Sequence, residues 1–204
     1  FPSRLLSAVC IAALGLSLAG CASKGQLTTG SIPSTNKPLE SMNASELHSA
    51  AESIGRAYDR NPKDAAVGMK YASVLTMGGR SEQALAVMQQ VAIHNPTDRT
   101  VLAAYGKALA GAGQFDKALD AIRRAQTPDR PDWQLLSAEG AILDQMGDPA
   151  SARQRYRKAL DIKPNEPSIL SNLGMSYVLQ GDLRTAESYL ASAVRQPGAD
   201  SRVR

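Results

Sequence analysis

Two cysteines, Cys10 and Cys21, and two histidines, His48 and His94, are the side chains of this 204-residue sequence best suited to nucleophilic or metal chemistry. A zinc site needs three or four such ligands brought together at characteristic spacings. Here the histidines stand far from each other and from both cysteines, and no His–Cys–carboxylate cluster has metal spacing. Serine and threonine are plentiful, but no G-x-S-x-G turn presents a nucleophile. No G-x-G-x-x-G follows a strand, because no strand is evident, and Gly111-Ala112-Gly113 reads as a turn between helices. The sequence thus predicts no catalytic residue, no metal ligand and no bound cofactor. What stands out is Cys21, placed directly after Leu18-Ala19-Gly20.

The residues before Cys21 explain its setting. Phe1-Pro2-Ser3-Arg4 carries a positive charge, and 5–18 is a run of apolar and small residues. This is the layout of a secretory signal. The run is shorter than the roughly 20 residues that span a bilayer. The sequence does not open on methionine, which implies that a little of the charged start precedes Phe1. Leu18-Ala19-Gly20-Cys21 resembles a bacterial lipobox. The resemblance implies that the Cys21 thiol takes a diacylglycerol, that cleavage follows Gly20, and that the new amine is acylated. Two or more acyl chains hold a protein stably on a membrane, whereas one is marginal. In Gram-negative lipoproteins Asp after the cysteine retains the protein in the inner membrane, so Ala22 implies the periplasm-facing side of the outer membrane. With 1–20 removed, one cysteine is left, and no internal disulfide can form.

Residues 21–44 hold the lipidated cysteine and a stretch rich in Gly, Ser, Thr, Asn and Pro with isolated apolar residues. Such a segment buries too little surface to offset its ordering entropy and is expected to be a disordered linker. As a coil it reaches roughly 25 Å. Removing 1–20 takes away Arg4 and no acid, lowering the formal charge from +4 to +3, and the remaining charges are interspersed. A nucleic-acid binder concentrates its cations on one face or arm, so none is expected as a partner. The densest basic stretch, Arg153, Arg155, Arg157 and Lys158, reads as a solvated helix face. Aromatics are few while alanine and leucine dominate, a composition for helices rather than a β-sandwich.

From residue 65 the sequence repeats every 34 residues. Small residues mark the phase: Ala72, Gly106, Gly140 and Gly174; Gly79, Gly113, Gly147 and Gly181; Ala84, Ala118, Ala152 and Ala186; Val91, Ala125, Ala159 and Ala193. Larger ones follow it: Leu75, Leu109, Leu143 and Tyr177, then Met88, Ile122, Tyr156 and Leu190. Each block ends near a proline, at Pro96, Pro131, Pro164 and Pro197, and Asp148-Pro149 reads as a cap with a first-turn proline. The pattern resembles the tetratricopeptide repeat, a pair of antiparallel helices. The expected fold is all-α, a right-handed solenoid of four repeats: 65–98, 99–132, 133–166 and 167–200. Ala50, Ile54, Ala57 and Pro62 keep the phase of a second helix, so 45–64 is expected to be a capping unit with its helix over 44–62. Residues 201–204 open a further repeat in the same phase, and the natural protein is expected to continue past Arg204. Leu183, Tyr189 and Leu190 are expected to leave apolar surface at that end, and Trp133 to pack where two repeats meet.

Stacked hairpins offer a concave face lined by their first helices, and such faces hold peptide segments. Counting from the repeat pattern puts Met69, Ser73, Thr76 and Met77 there from the first repeat, and Ala103, Lys107 and Ala110 from the second. The third contributes Gln134, Ser137, Ala141, Asp144 and Gln145, and the fourth Ser168, Ser171, Met175 and Val178. Lys107 and Asp144 are the charged exceptions on a small, mildly polar surface. Chaperone-binding relatives grip a terminal carboxylate with Lys, Asn and Arg; the matching positions here are Met69, Ser73, Ala104, Gln134 and Ala138, so that clamp is not expected.

Three stretches are more specific: Pro131-Asp132-Trp133 with 137–148, Pro167 through Tyr177, and Pro197 through Arg204. They resemble the TadD family of tight-adherence (Flp) pilus assembly lipoproteins. The resemblance covers roughly 45–204 and agrees with the lipobox. It implies a scaffold that assembles or localises the Flp secretion apparatus through protein contacts, with the outer-membrane secretin or another pilus component as partner, a membrane anchor, and no small-molecule substrate. The competing expectation is an adaptor for cell-wall hydrolases or outer-membrane assembly factors.

Overall fold

A computed structural model describes residues 37–197. The expected signal at 1–20, Cys21, most of the linker and residues 198–204 lie outside the described residues. Apart from a 3-10 turn at Leu39–Ser41, the described chain consists of α-helices: α1 (Ala44–Arg60), α2 (Ala65–Met77), α3 (Ser81–His94), α4 (Arg99–Gly111), α5 (Phe115–Ala125), α6 (Trp133–Gln145), α7 (Pro149–Ile162), α8 (Pro167–Leu179) and α9 (Leu183–Arg195). Each helix packs on its sequence neighbours, and α2 also touches α4, α4 touches α6 and α6 touches α8. The first helices of the four pairs therefore share one face of an all-helical solenoid.

The helix boundaries follow from local chemistry. Asp64, Asp98 and Asp132 each accept from backbone N–H groups of the first turn of α2, α4 and α6, as N-caps do. Asp148 and Asp182 do the same for α7 and α9. The first helix of every pair ends in a Schellman turn. The Asp148 N–H donates to the Leu143 carbonyl at 2.9 Å, and Arg80, Gln114 and Asp182 do likewise to Leu75, Leu109 and Tyr177. That closure needs φ of 71–81° at Gly79, Gly113, Gly147 and Gly181, a region that residues with a Cβ rarely adopt.

The helices of a pair meet through another glycine series. A Cβ on Gly140 would come within 2.6 Å of the Tyr156 ring, one on Gly106 within 2.8 Å of Ile122, and one on Gly174 within 2.8 Å of Leu190. Each small residue is the seat for the large residue sixteen positions later. Leu75, Val91, Val101, Leu109, Ile122, Tyr156, Ile169 and Leu173 are essentially inaccessible within the stack.

Several expectations are corrected in detail. The linker was expected to run as coil through 44, but 37–43 is built onto α1. Asn43 and Glu46 form a capping box, and Lys37 reaches the Glu46 carboxylate at 2.7 Å. Ala50, Ile54 and Ala57 are only half-buried, because no first helix among the described residues covers that face of α1. Instead Ala51 and Gly55 are buried, and Tyr58 and Tyr71 lie 5.7 Å apart between α1 and α2. Helix α5 ends at Ala125, three residues before the ends of α3 and α7 would place it in the 34-residue phase. Pro128 lacks an N–H and disfavours helical backbone at Thr127. The Gln126 side chain closes the resulting loop with two hydrogen bonds to the Asp132 backbone.

The contacts at the glycines lead to two opposite outcomes. Gly140→Ala drives a methyl into a ring that is held at its hydroxyl, and is expected to cost about 1–3 kcal/mol in urea unfolding. Gly111→Ala points into open space within a helix and should gain about 0.4–1 kcal/mol.

The caps give the acid dependence. The Asp148 and Asp182 carboxyls sit below their usual range, mainly through hydrogen bonds from Ser151 and Thr185. A depressed native pKa gives stability that is complete above the unfolded value, about 3.9, and fades as pH falls through the native value. Thermal unfolding from pH 7 to 2 should show that loss at the acid end. Replacing both aspartates with Asn, which caps without titrating, should make the acid limb shallower.

Candidate functional site

The predicted inner-face residues lie on the four first helices, and their exposure differs. Ser73, Thr76, Lys107, Gln134, Gln145 and Ser168 are exposed; Met77 is 39 % and Met175 49 % exposed. Met69, Ala103, Ala110, Ala141, Ser171 and Val178 are half-buried. The Thr76 hydroxyl donates back to the Ala72 carbonyl at 3.0 Å. Ser137 does not line the surface: it is 7 % exposed, and the Asn172 side-chain amide donates to its hydroxyl at 3.1 Å across the α6–α8 contact.

Asp144 is not a free charge either. Its carboxylate accepts from the Ser176 hydroxyl at 2.8 Å and from the Tyr156 hydroxyl at 3.0 Å. Ser176 is fully buried. Burial and the neighbouring Asp144 charge push the Tyr156 phenol far above its usual range, so it remains a donor at any physiological pH. Asp144 thereby ties α6 to α7 and α8, and its negative charge is directed into the stack.

The sequence reading missed Ser176 and Asn172. For Ser176 the signal was present, since the residues in phase with it are Val74, Ala108 and Ile142; Asn172 shares its phase with Lys70, Ala104 and Ala138 and gave none. A polar residue breaking an apolar series marks a partner across the stack. Glu139 was likewise not singled out. It is 4 % exposed and lies 2.8 Å from Arg123 and 3.3 Å from Arg155. The basic stretch on α7 is accordingly not a solvated face alone. Arg155 neutralises Glu139, Arg153 lies 4.9 Å over the Tyr177 ring, and Arg157 donates to the Tyr177 hydroxyl at 3.0 Å. Tyr177 stacks on Tyr189 at 5.6 Å, so Tyr189, expected to be uncovered, is half-buried.

Lys107 remains exposed and has no ion-pair partner among the described residues. Trp133 is half-buried against the main core, at the start of the third repeat. Beyond the inner face, α8 and α9 leave a depression of about 440 Å³ lined by Val178, Leu183, Ala186, Leu190, Ala191 and Val194, together with Glu187. Leu183 is 65 % exposed there. Among the described residues, no group of His, Cys, Asp and Glu could hold a metal ion, and no helix is long and apolar enough to cross a membrane.

Comparison with known proteins agrees with this geometry. A family model described as a tetratricopeptide repeat matches residues 75–140 and 145–204, and a second with that description matches 41–98. No curated protein matches the chain. Among solved structures, one of MamA is 19 % identical, covers 74 % of this chain and 88 % of its own, and has a TM-score of 0.61. Pseudomonas aeruginosa PilF is 19 % identical with a TM-score of 0.62, over 78 % of this chain and 72 % of its own. YrrB, described as a tetratricopeptide-repeat protein with an unusual peptide-binding site, is 21 % identical with a TM-score of 0.55, over 76 % of this chain and 79 % of its own. At these identities the likeness is one of fold.

The polar ties between the third and fourth repeats are open to direct test. Ser176→Ala and Tyr156→Phe each remove one donor to Asp144 and should lower stability by about 1 kcal/mol in urea unfolding. Asp144→Ala strands both hydroxyls and should cost more than either.

Proposed function

The chain belongs to the tetratricopeptide repeat family, a family of protein-binding scaffolds, and we propose that it is a lipid-anchored scaffold of Flp (tight-adherence) pilus assembly on the periplasmic side of the outer membrane. The observation that carries this reading is the meeting, in one chain, of the lipobox-like Leu18-Ala19-Gly20-Cys21 with the TadD-like stretch over 131–148. Acyl chains on Cys21 fix the protein to the bilayer, and the solenoid is carried on the linker that follows.

The inner face is the working surface in this reading. It is open rather than a closed pocket, and its side chains are small, polar or methionine, which suits a polypeptide laid across several repeats. Exposed methionines adapt to varied apolar side chains. The outer-membrane secretin, or another pilus component, is the partner held there. Commitment of Arg123, Arg153, Arg155 and Arg157 to contacts within the fold supports a protein partner over a nucleic acid.

Deleting the gene should abolish surface pili while pilin is still made; normal piliation would contradict the reading. Pull-down of the acylated protein from detergent-solubilised envelope should recover the secretin. Recovery of cell-wall hydrolases in its place would favour the adaptor reading. Cys21→Ser should shift the protein out of the outer-membrane fraction and end its labelling by radioactive palmitate.

A further inference from the structure

The four first helices carry a lopsided set of charges. Helices α2, α4 and α8 contain no Asp or Glu, and the two acids of α6 are both committed. Glu139 is buried between Arg123 and Arg155, and Asp144 accepts from Ser176 and Tyr156. The cations are Lys70, Arg99 and Lys107. Arg99 donates to the Ala125 carbonyl at 2.7 Å and so is held at the loop. Lys70 is in phase with Asn172, which faces the preceding repeat, so at the first repeat it stands at the edge of the stack. Lys107 alone is central. It has Ser73 and Ala141 at its own position in the flanking repeats, and Ala103 and Ala110 one turn away on α4. Its long side chain therefore stands among small residues, with the partly exposed Met77 in the preceding repeat and Met175 two repeats further on.

A segment laid over this surface would take the Lys107 ammonium partly out of water. Burying an unpaired charge costs far more than apolar contact returns, unless an opposite charge meets it. Resting on the reading of this face as the binding surface, we infer that the groove selects a polypeptide segment that carries one internal acidic side chain, which pairs with Lys107. A terminal carboxylate is the poorer occupant. A chain ending at Lys107, in the second of four repeats, would leave the half of the groove beyond it empty.

The inference is tested with the full chain and a set of short helical Leu/Ala peptides, identical except for a central Glu, Gln or Lys on the apolar face, by fluorescence anisotropy at physiological salt. The expected order is Glu, then Gln, then Lys, with about tenfold between the extremes. Lys107→Glu should reverse that order, and Lys70→Glu should leave it standing. An order unchanged in Lys107→Glu, or reversed equally by Lys70→Glu, would overturn the inference and leave the binding surface intact. So would tight binding of a Glu-free peptide that depends on a free C-terminus and is lost on amidation. Failure of all three peptides to bind would instead strike at the inner face as a binding surface, and the inference would fall with it.

Discussion

In the second, third and fourth pairs, the contact between a glycine on the first helix and the large residue sixteen positions later sets the distance at which the two helices run. Gly106 seats Ile122, Gly140 seats Tyr156 and Gly174 seats Leu190. With a side chain at those glycines, each pair would be forced apart, and the phase in which one pair meets the next would shift. The buried Val101, Leu109, Ile169 and Leu173 depend on that spacing, because they fill volumes shaped by neighbouring backbones at close approach. Since α2, α4, α6 and α8 touch in succession, the inner face inherits its geometry from the same contact.

The periodic features were legible because each recurs in phase with a physical reason. Turn glycines and the small seat residues fall 34 residues apart, and the capping aspartates Asp64, Asp98 and Asp132 keep the same period. What departed from expectation was aperiodic. Pro128 shortens α5 without an equivalent in the other repeats, and the Gln126–Asp132 pairing that repairs the loop has no counterpart. The N-terminal helix kept its phase, but its burial depends on which neighbours exist, a tertiary fact that the sequence of α1 does not carry.

The inner face was legible in outline and not in charge. Position counting placed Lys107 and Asp144 on it as equals. Only the structure separates them, because the partners of Asp144 lie 12 and 32 residues away, on α7 and α8. A hydrogen bond across repeats leaves only a faint trace in one sequence, a serine where the series is otherwise apolar. The outcome is a stack in which the two acids of the first helices, Glu139 and Asp144, join neighbouring helices, while Lys107 stays exposed.

A double-mutant cycle on Gly106 and Ile122 tests the seat-and-knob contact most directly. Stability is measured by urea unfolding for the parent chain, Gly106→Ala, Ile122→Val and the pair. The account predicts that Ile122→Val relieves part of the cost of Gly106→Ala, so that the double variant is more stable than the sum of the singles by about 0.5–3 kcal/mol. Strictly additive losses would mean that the two side chains do not set each other's position, and would contradict the account.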